Sequence, residues 1–186
     1  MKTFKYLLIV KFSLLIAFGA FSQTSYNTFT DKRDNQTYNI VEIGGNVWMA
    51  QNLNYQTTES WCYDGNEENC QKYGRLYTGK VALKACPDGW HLPIDSDWEN
   101  LVISMGGKNV AGKQMQETAS GFSALFGGKM TNDNTYTGLG ETASFWSVFE
   151  DGSKVWGRHL TKENPFLNSF ENPLHKAYSI RCVKNN

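Results

Sequence analysis

The four cysteines, Cys62, Cys70, Cys86 and Cys182, have three chemistries open to them: nucleophile, metal ligand and half-disulfide. Zinc is disfavoured by spacing, because there is no Cys-x-x-Cys pair and the three histidines lie far from any cysteine pair in sequence. A catalytic thiol needs a depressed pKa and an adjacent base, whereas an oxidising compartment would turn Cys182 into half of a bridge. An even count in an exported chain favours disulfides. Three connectivities are then possible. The polar turn from Tyr63 to Asn69, seven residues long, is one a local Cys62–Cys70 bridge could close, which would leave Cys86 with Cys182.

The remaining reactive residues have structural explanations. His91 sits between Trp90 and Leu92 with no sequence-evident partner, so a packed or hydrogen-bonded histidine is expected rather than a general base. Glu99 closes a Ser-x-x-Glu capping box with Ser96. The sequence has no Gly-x-Ser-x-Gly, His-Glu-x-x-His, EF-hand or phosphate-cradling glycine string, so no catalytic residue, cofactor or metal is assigned and no enzyme is expected. Recognition chemistry is better represented. The segment 129–143 carries Asn132, Asp133, Asn134 and Tyr136 among glycines, and amide and hydroxyl groups with one aromatic face suit a sugar or peptide. Its only acids are Asp133 and Glu141, thin ligation for calcium, which takes roughly six to eight oxygens. Trp48, Trp90 and Trp98 lie in apolar settings and read as core. Trp146 and Trp156, in strand-like runs beside that segment, read either as core or as a sugar-stacking surface.

These residues must be held by short elements. Thr37 to Ile43, the Gly44-Gly45-Asn46 turn and Val47 to Ala50 spell an antiparallel hairpin. Thr78 can cap a short helix reaching about Ala85, stopped by Pro87 and Gly89. A second helix opens at the Ser96 box, carries Trp98, Leu101, Val102 and Met105 at helical spacing, and ends at Gly106-Gly107. Strand-like runs follow at 121–126, 144–149, 155–160 and 177–183, the first two separated by the polar segment 129–143, which reads as a long loop. Two short helices among several short antiparallel strands and long loops make an α+β domain.

Residues 1–22 stand apart. Lys2 and Lys5 precede an apolar run, Ala20 and Ser22 fit the cleavage positions of a secretory signal peptide, and Gln23 would begin the mature chain, leaving 23–186 as a single domain. Lys11 interrupts the run, which leaves it too short to span a bilayer, so no membrane insertion is expected after cleavage. The segment holds three of the 18 basic residues and none of the 18 acidic ones, so the remainder carries a net charge of −3. That balance offers no footprint for nucleic acid or anionic lipid. With 40% hydrophobic and 19% charged residues the chain has enough apolar material for a core and too little charge for a disordered tail.

Several blocks together carry a resemblance: 31–55 (DKRDNQTYNIVEIGGNVWMAQNLNY), Trp61-Cys62-Tyr63-Asp64, Tyr73 to Thr78, Ala85 to Pro93, Gly121 to Leu125, Phe145-Trp146-Ser147 and Ser179 to Val183. In this order they resemble the Fibrobacter succinogenes major paralogous domain, a family of exported bacterial proteins without an assigned molecular role. His91-Leu92-Pro93 followed by Asp97-Trp98-Glu99, with a closing Arg-Cys-Val strand, is similar more distantly to C-type-lectin-like folds, including the formylglycine-generating enzyme group. That likeness implies terminal strands that pair and a bridge from a helix cysteine to the last strand, Cys86 to Cys182. The expectation is therefore an exported, non-catalytic binding module for a glycan or a surface protein, with a structural or adhesion component as the alternative and a secreted enzyme after that. Its destination would be periplasm, cell surface or medium.

Overall fold

The computed structural model describes residues 27–131, 133–152, 154–171 and 174–185; the signal-peptide reading of 1–22 and the candidate Asn132 lie outside them. In chain order the elements are β1 (Asn27–Thr30), β2 (Thr37–Ile43), β3 (Asn46–Met49), β4 (Ser60–Trp61), α1 (Glu67–Tyr73), β5 (Leu76–Thr78), α2 (Gly79–Ala85), β6 (Trp90–His91) and α3 (Asp95–Ser104). Then come α4 (Ala111–Gln116), β7 (Gly127–Met130), β8 (Tyr136–Leu139), β9 (Thr142–Val148), β10 (Val155–Thr161), β11 (Asn164–Glu171), β12 (Ala177–Tyr178) and β13 (Val183–Lys184). Mostly strands with few short helices, this is an α+β protein.

The strands make two sheets. One has five strands in the order β1-β2-β3-β13-β6; the other runs β11-β10-β9-β7-β12-β5-β4, with β8 also paired to β7. The β2–β3 hairpin forms where the sequence places it, with Ile43 opposite Asn46 around Gly44 and Gly45 at φ of 66° and 79°. Such angles suit the two-residue turns that match strand twist. Gly44 answers a second demand, since a Cβ there would lie 2.8 Å from the Asn100 carbonyl oxygen of α3. The last strand enters this same sheet, Val183 pairing with Trp48 on one side and His91 on the other.

Strand β9 lies between two cores. On one face Phe145 meets Trp98 and Phe122, each with ring centroids 5.9 Å away. On the other Trp146 packs against Tyr178 at 4.4 Å, and its indole N–H donates to the Tyr77 carbonyl at 2.6 Å. Period-2 alternation sends successive residues to opposite faces, and β9 is buried on both, its Ser144 and Ser147 included. Buried Arg181 ties the first core to the second: Nε donates to Asn52 Oδ1 at 2.7 Å, Nη2 to the Ser123 carbonyl at 3.0 Å and Nη1 to the Phe122 carbonyl, while the guanidinium lies 4.6 Å from the Phe122 ring centroid. Carbonyl dipoles and an aromatic face compensate the cost of burying that charge.

Both expected bridges are present, Cys62–Cys70 and Cys86–Cys182. Thr78 caps α2 as expected, its hydroxyl accepting from the Val81 N–H. Other expectations need correction. There are four α-helices among the described residues rather than two: α1 occupies much of the supposed turn between Cys62 and Cys70, capped by Asn66, and α4 follows the double glycine. The supposed long loop 129–143 is mostly the β7–β8 hairpin and the start of β9, and the run 121–126 is irregular.

Candidate functional site

The sequence-selected residues do not gather at one place. Asp133 and Asn134 form the tip of the β7–β8 hairpin. Asn134 takes a left-handed φ of 61°, and Asp133 accepts from the Thr131 hydroxyl and from the Thr135 N–H at 3.4 Å. The Thr131 bond foremost holds the Asp133 carboxyl below the ordinary aspartate range. Their polar character is thus used for turn-making. Tyr136 packs on Tyr63 with centroids 5.2 Å apart, and partial burial, then the Asp64 charge, pushes its phenol up. Trp146 is fully buried, which corrects the surface-stacking alternative: both indole faces belong to the core. Trp156 is half-buried and edge-on to Phe149 at 4.8 Å. Tyr63, Tyr178 and Phe149 are three separate neighbourhoods, so the selected aromatics make no common platform.

His91 proves to be hydrogen-bonded. Its Nε2 lies 2.9 Å from Asp97 Oδ2 and its Nδ1 2.8 Å from Asn185 Oδ1, so the imidazolium form satisfies both acceptors. The Asp97 bond, against some desolvation, raises its pKa above the ordinary histidine value. Asp97 also accepts from the Ile94 N–H at 2.9 Å and from the Asn46 amide at 2.9 Å. Capping of α3 therefore falls to Asp97, together with Glu150, which accepts from the Ser96 N–H at 2.8 Å. Glu99, assigned to the cap from sequence, is instead released one turn further on.

Glu99 borders a cleft of about 360 Å³ between α3 and the β10–β11 hairpin. Trp98 and Val102 contribute apolar lining from the helix; Phe166 and Leu167 do so from β11. Polar groups converge there as well: Glu99, Lys108, Arg158 and Ser169. Register explains the grouping, since Arg158 on β10 pairs directly with Ser169 on β11 and both side chains project to the α3 side. Arg158 also donates to Asp95 in the first turn of α3, which locks helix to hairpin. Desolvation pulls its pKa down against the Asp95 charge. Two donors around the cleft, Trp98 Nε1 and Arg158 Nε, are buried without a hydrogen-bond partner among the described residues. Neither Glu99 nor Arg158 was selectable by spacing, because the hairpin residues lie some sixty positions from the helix.

Two further constellations invite chemical readings. Ser144 Oγ lies 2.8 Å from His159 Nδ1, the reach of a nucleophile–base pair. Ser144 is only 1% exposed, and burial with the Lys129 and Lys176 charges pushes His159 down to about 4. A buried hydroxyl beside so weak a base is poorly placed for acyl transfer. Cys62, Glu67 and Cys70 bring three ligand-type atoms within 4.8 Å, but both sulfurs are already joined to one another.

A twice-bridged α+β domain holding a surface cleft between a helix and the edge hairpin of a sheet is the class that fold and site define. The chain belongs to the Fibrobacter succinogenes major domain family, whose model matches residues 41–184. No curated protein matches the chain, and no solved structure does.

Proposed function

We propose that this protein is an exported, non-catalytic binding module of C-type-lectin-like type that takes a glycan or a peptide of a surface protein in the cleft between α3 and the β10–β11 hairpin. The observation that carries the reading is the cleft's lining. Phe166, 44% exposed, offers a ring face, while Ser169, Glu99 and Lys108 offer the mixed donors and acceptors that orient a polyhydroxylated or amide-rich ligand. Export is supported by the leader-like residues 1–22 and by two disulfides, which persist in oxidising compartments. The lectin-like reading is supported by the last strand joining the N-terminal sheet and by the Cys86–Cys182 bridge.

Arrays of glycans and peptides probed with the oxidised protein test the reading. Phe166→Ala with Lys108→Ala should weaken any binding found by at least about tenfold while the thermal midpoint stays within a few degrees, because both side chains sit at the protein's surface. Binding untouched by that pair would move the site elsewhere. No ligand on either array, with adhesion of cells lacking the protein impaired, would favour the structural alternative.

A further inference from the structure

On the opposite face of the same β10–β11 hairpin, β7, β9 and β12 enclose a second, shallower depression of about 550 Å³. Its floor is His159, 91% buried by the 9% exposure of the residue. The ring is fixed through Nδ1 by the Ser144 hydroxyl at 2.8 Å and by Tyr178, edge-on with centroids 5.0 Å away. Nε2 has no protein hydrogen-bond partner among the described residues, and the ring lines the depression. Lys129 and Lys176 stand on its rim, and none of the described side chains lining it is a carboxylate. Around this cationic group lie the exposed Phe170 ring, 5.5 Å from the His159 ring, and the Thr142, Thr161 and Asn168 side chains.

We infer that this depression is a binding site for a carboxylate-bearing sugar of the uronic acid class, independent of the α3 cleft. Each part of such a ligand meets suitable chemistry. The carboxylate is placed between Lys129 and Lys176 and accepts from His159 Nε2–H, a charge-assisted arrangement. The ring's apolar face rests on Phe170, and its hydroxyls face the threonine hydroxyls and the Asn168 amide. Burial and the two ammonium charges keep His159 neutral when the site is empty, and a bound anion reverses that field. The site is therefore suited to anions and has a built-in reporter.

The His159 ring resonances should be followed by NMR as sodium glucuronate, glucose or sodium sulfate is added to the full protein. Glucuronate should shift them saturably, with half-saturation at or below about 10 mM, and should raise the His159 titration midpoint; glucose should do neither. Sulfate should act at least about tenfold more weakly, since it lacks the groups that use Phe170 and Asn168. Lys129→Gln should weaken glucuronate at least about fivefold and Lys129→Arg should restore it, with Phe166→Ala unchanged as the control for the other cleft. Equal response to sulfate and glucuronate would overturn the sugar assignment. No response to glucuronate at 100 mM, roughly ten times the expected half-saturation, would overturn the site itself without touching the α3 cleft.

Discussion

The two described histidines with resolved shifts carry opposite pH signatures. His91 is raised because its charged form donates to Asp97 and Asn185, so its contribution to stability is fully present below the unfolded value near 6.5 and is lost as pH rises through the higher folded value. His159 is lowered to about 4 from 6.5, so its neutral burial contributes stability above 6.5 that is lost as pH falls toward 4. Integrated over that interval the second effect is on the order of 3 kcal/mol. Urea midpoints of His91→Gln and His159→Gln against wild type should show this. The wild-type advantage over His91→Gln should be larger at pH 5.5 than at pH 9, and its advantage over His159→Gln should shrink between pH 7 and pH 4.5. A pH-independent gap for either variant would contradict the corresponding assignment. Neither sign could be read from the sequence. Asp97 lies six residues from His91 and Asn185 ninety-four away, and only the β6–β13 pairing brings the latter into reach.

At the scale of elements, a glycine in α4 separates local propensity from tertiary demand. Gly112 is helical and fully enclosed, and a Cβ there would lie 2.5 Å from the Pro165 carbonyl oxygen of β11. Propensity alone makes Gly→Ala worth about 1 kcal/mol in favour of the helix, whereas pushing backbone from backbone costs typically about 1–3 kcal/mol. The clash should win, so Gly112→Ala is expected to lower the denaturation midpoint and to increase amide exchange in β11; a stabilised protein would show that α4 can drift outward freely. The same glycine explains why α4 was illegible: Ala-Gly-Lys-Gln-Met-Gln offers one buried apolar side chain per turn at best, and the partner that orders it is fifty residues away. The elements that were legible carried their cause locally, namely the Gly44-Gly45 turn and the Thr78 cap. A local signal for α1 is present in Asn66 followed by two glutamates, but the flanking cysteines equally suit a bridged turn. The polar, glycine-bearing stretch around Asp133 resembles a loop because hairpin turns and loops use the same residues, and β11 is hidden because Pro165 stands second in it and Asn164, Asn168 and Ser169 break any apolar alternation. The cleft follows the same rule: α3 was legible, yet the strand that completes its wall was not.

For the whole molecule the decisive constraint is the Cys86–Cys182 bridge, which spans 96 positions where Cys62–Cys70 spans 8. Loop-closure entropy makes the long bridge worth about 4–5 kcal/mol and the short one about 2–3 kcal/mol, on a model in which the cross-link acts mainly on the unfolded chain. Native packing adds to the asymmetry. Cys182 is fully buried beside Ile180 and Tyr178 in the core that holds Trp146, and its carbonyl accepts from the Met49 N–H at 3.0 Å, so the bridge holds the last segment where the N-terminal hairpin needs it. The short bridge tethers only the corner around α1. Paired cysteine-to-alanine variants, which leave no stray thiol, should therefore lose unequal amounts of urea midpoint, the Cys86/Cys182 pair more than the Cys62/Cys70 pair. Both should still unfold in one transition, because β9 gives Phe145 to one core and Trp146 to the other, and neither core can open without withdrawing a wall from its neighbour. Tryptophan fluorescence and far-ultraviolet circular dichroism should accordingly coincide throughout the transition in both variants. Equal losses would remove the loop-length argument, and separated transitions would show that the shared strand does not couple the two cores.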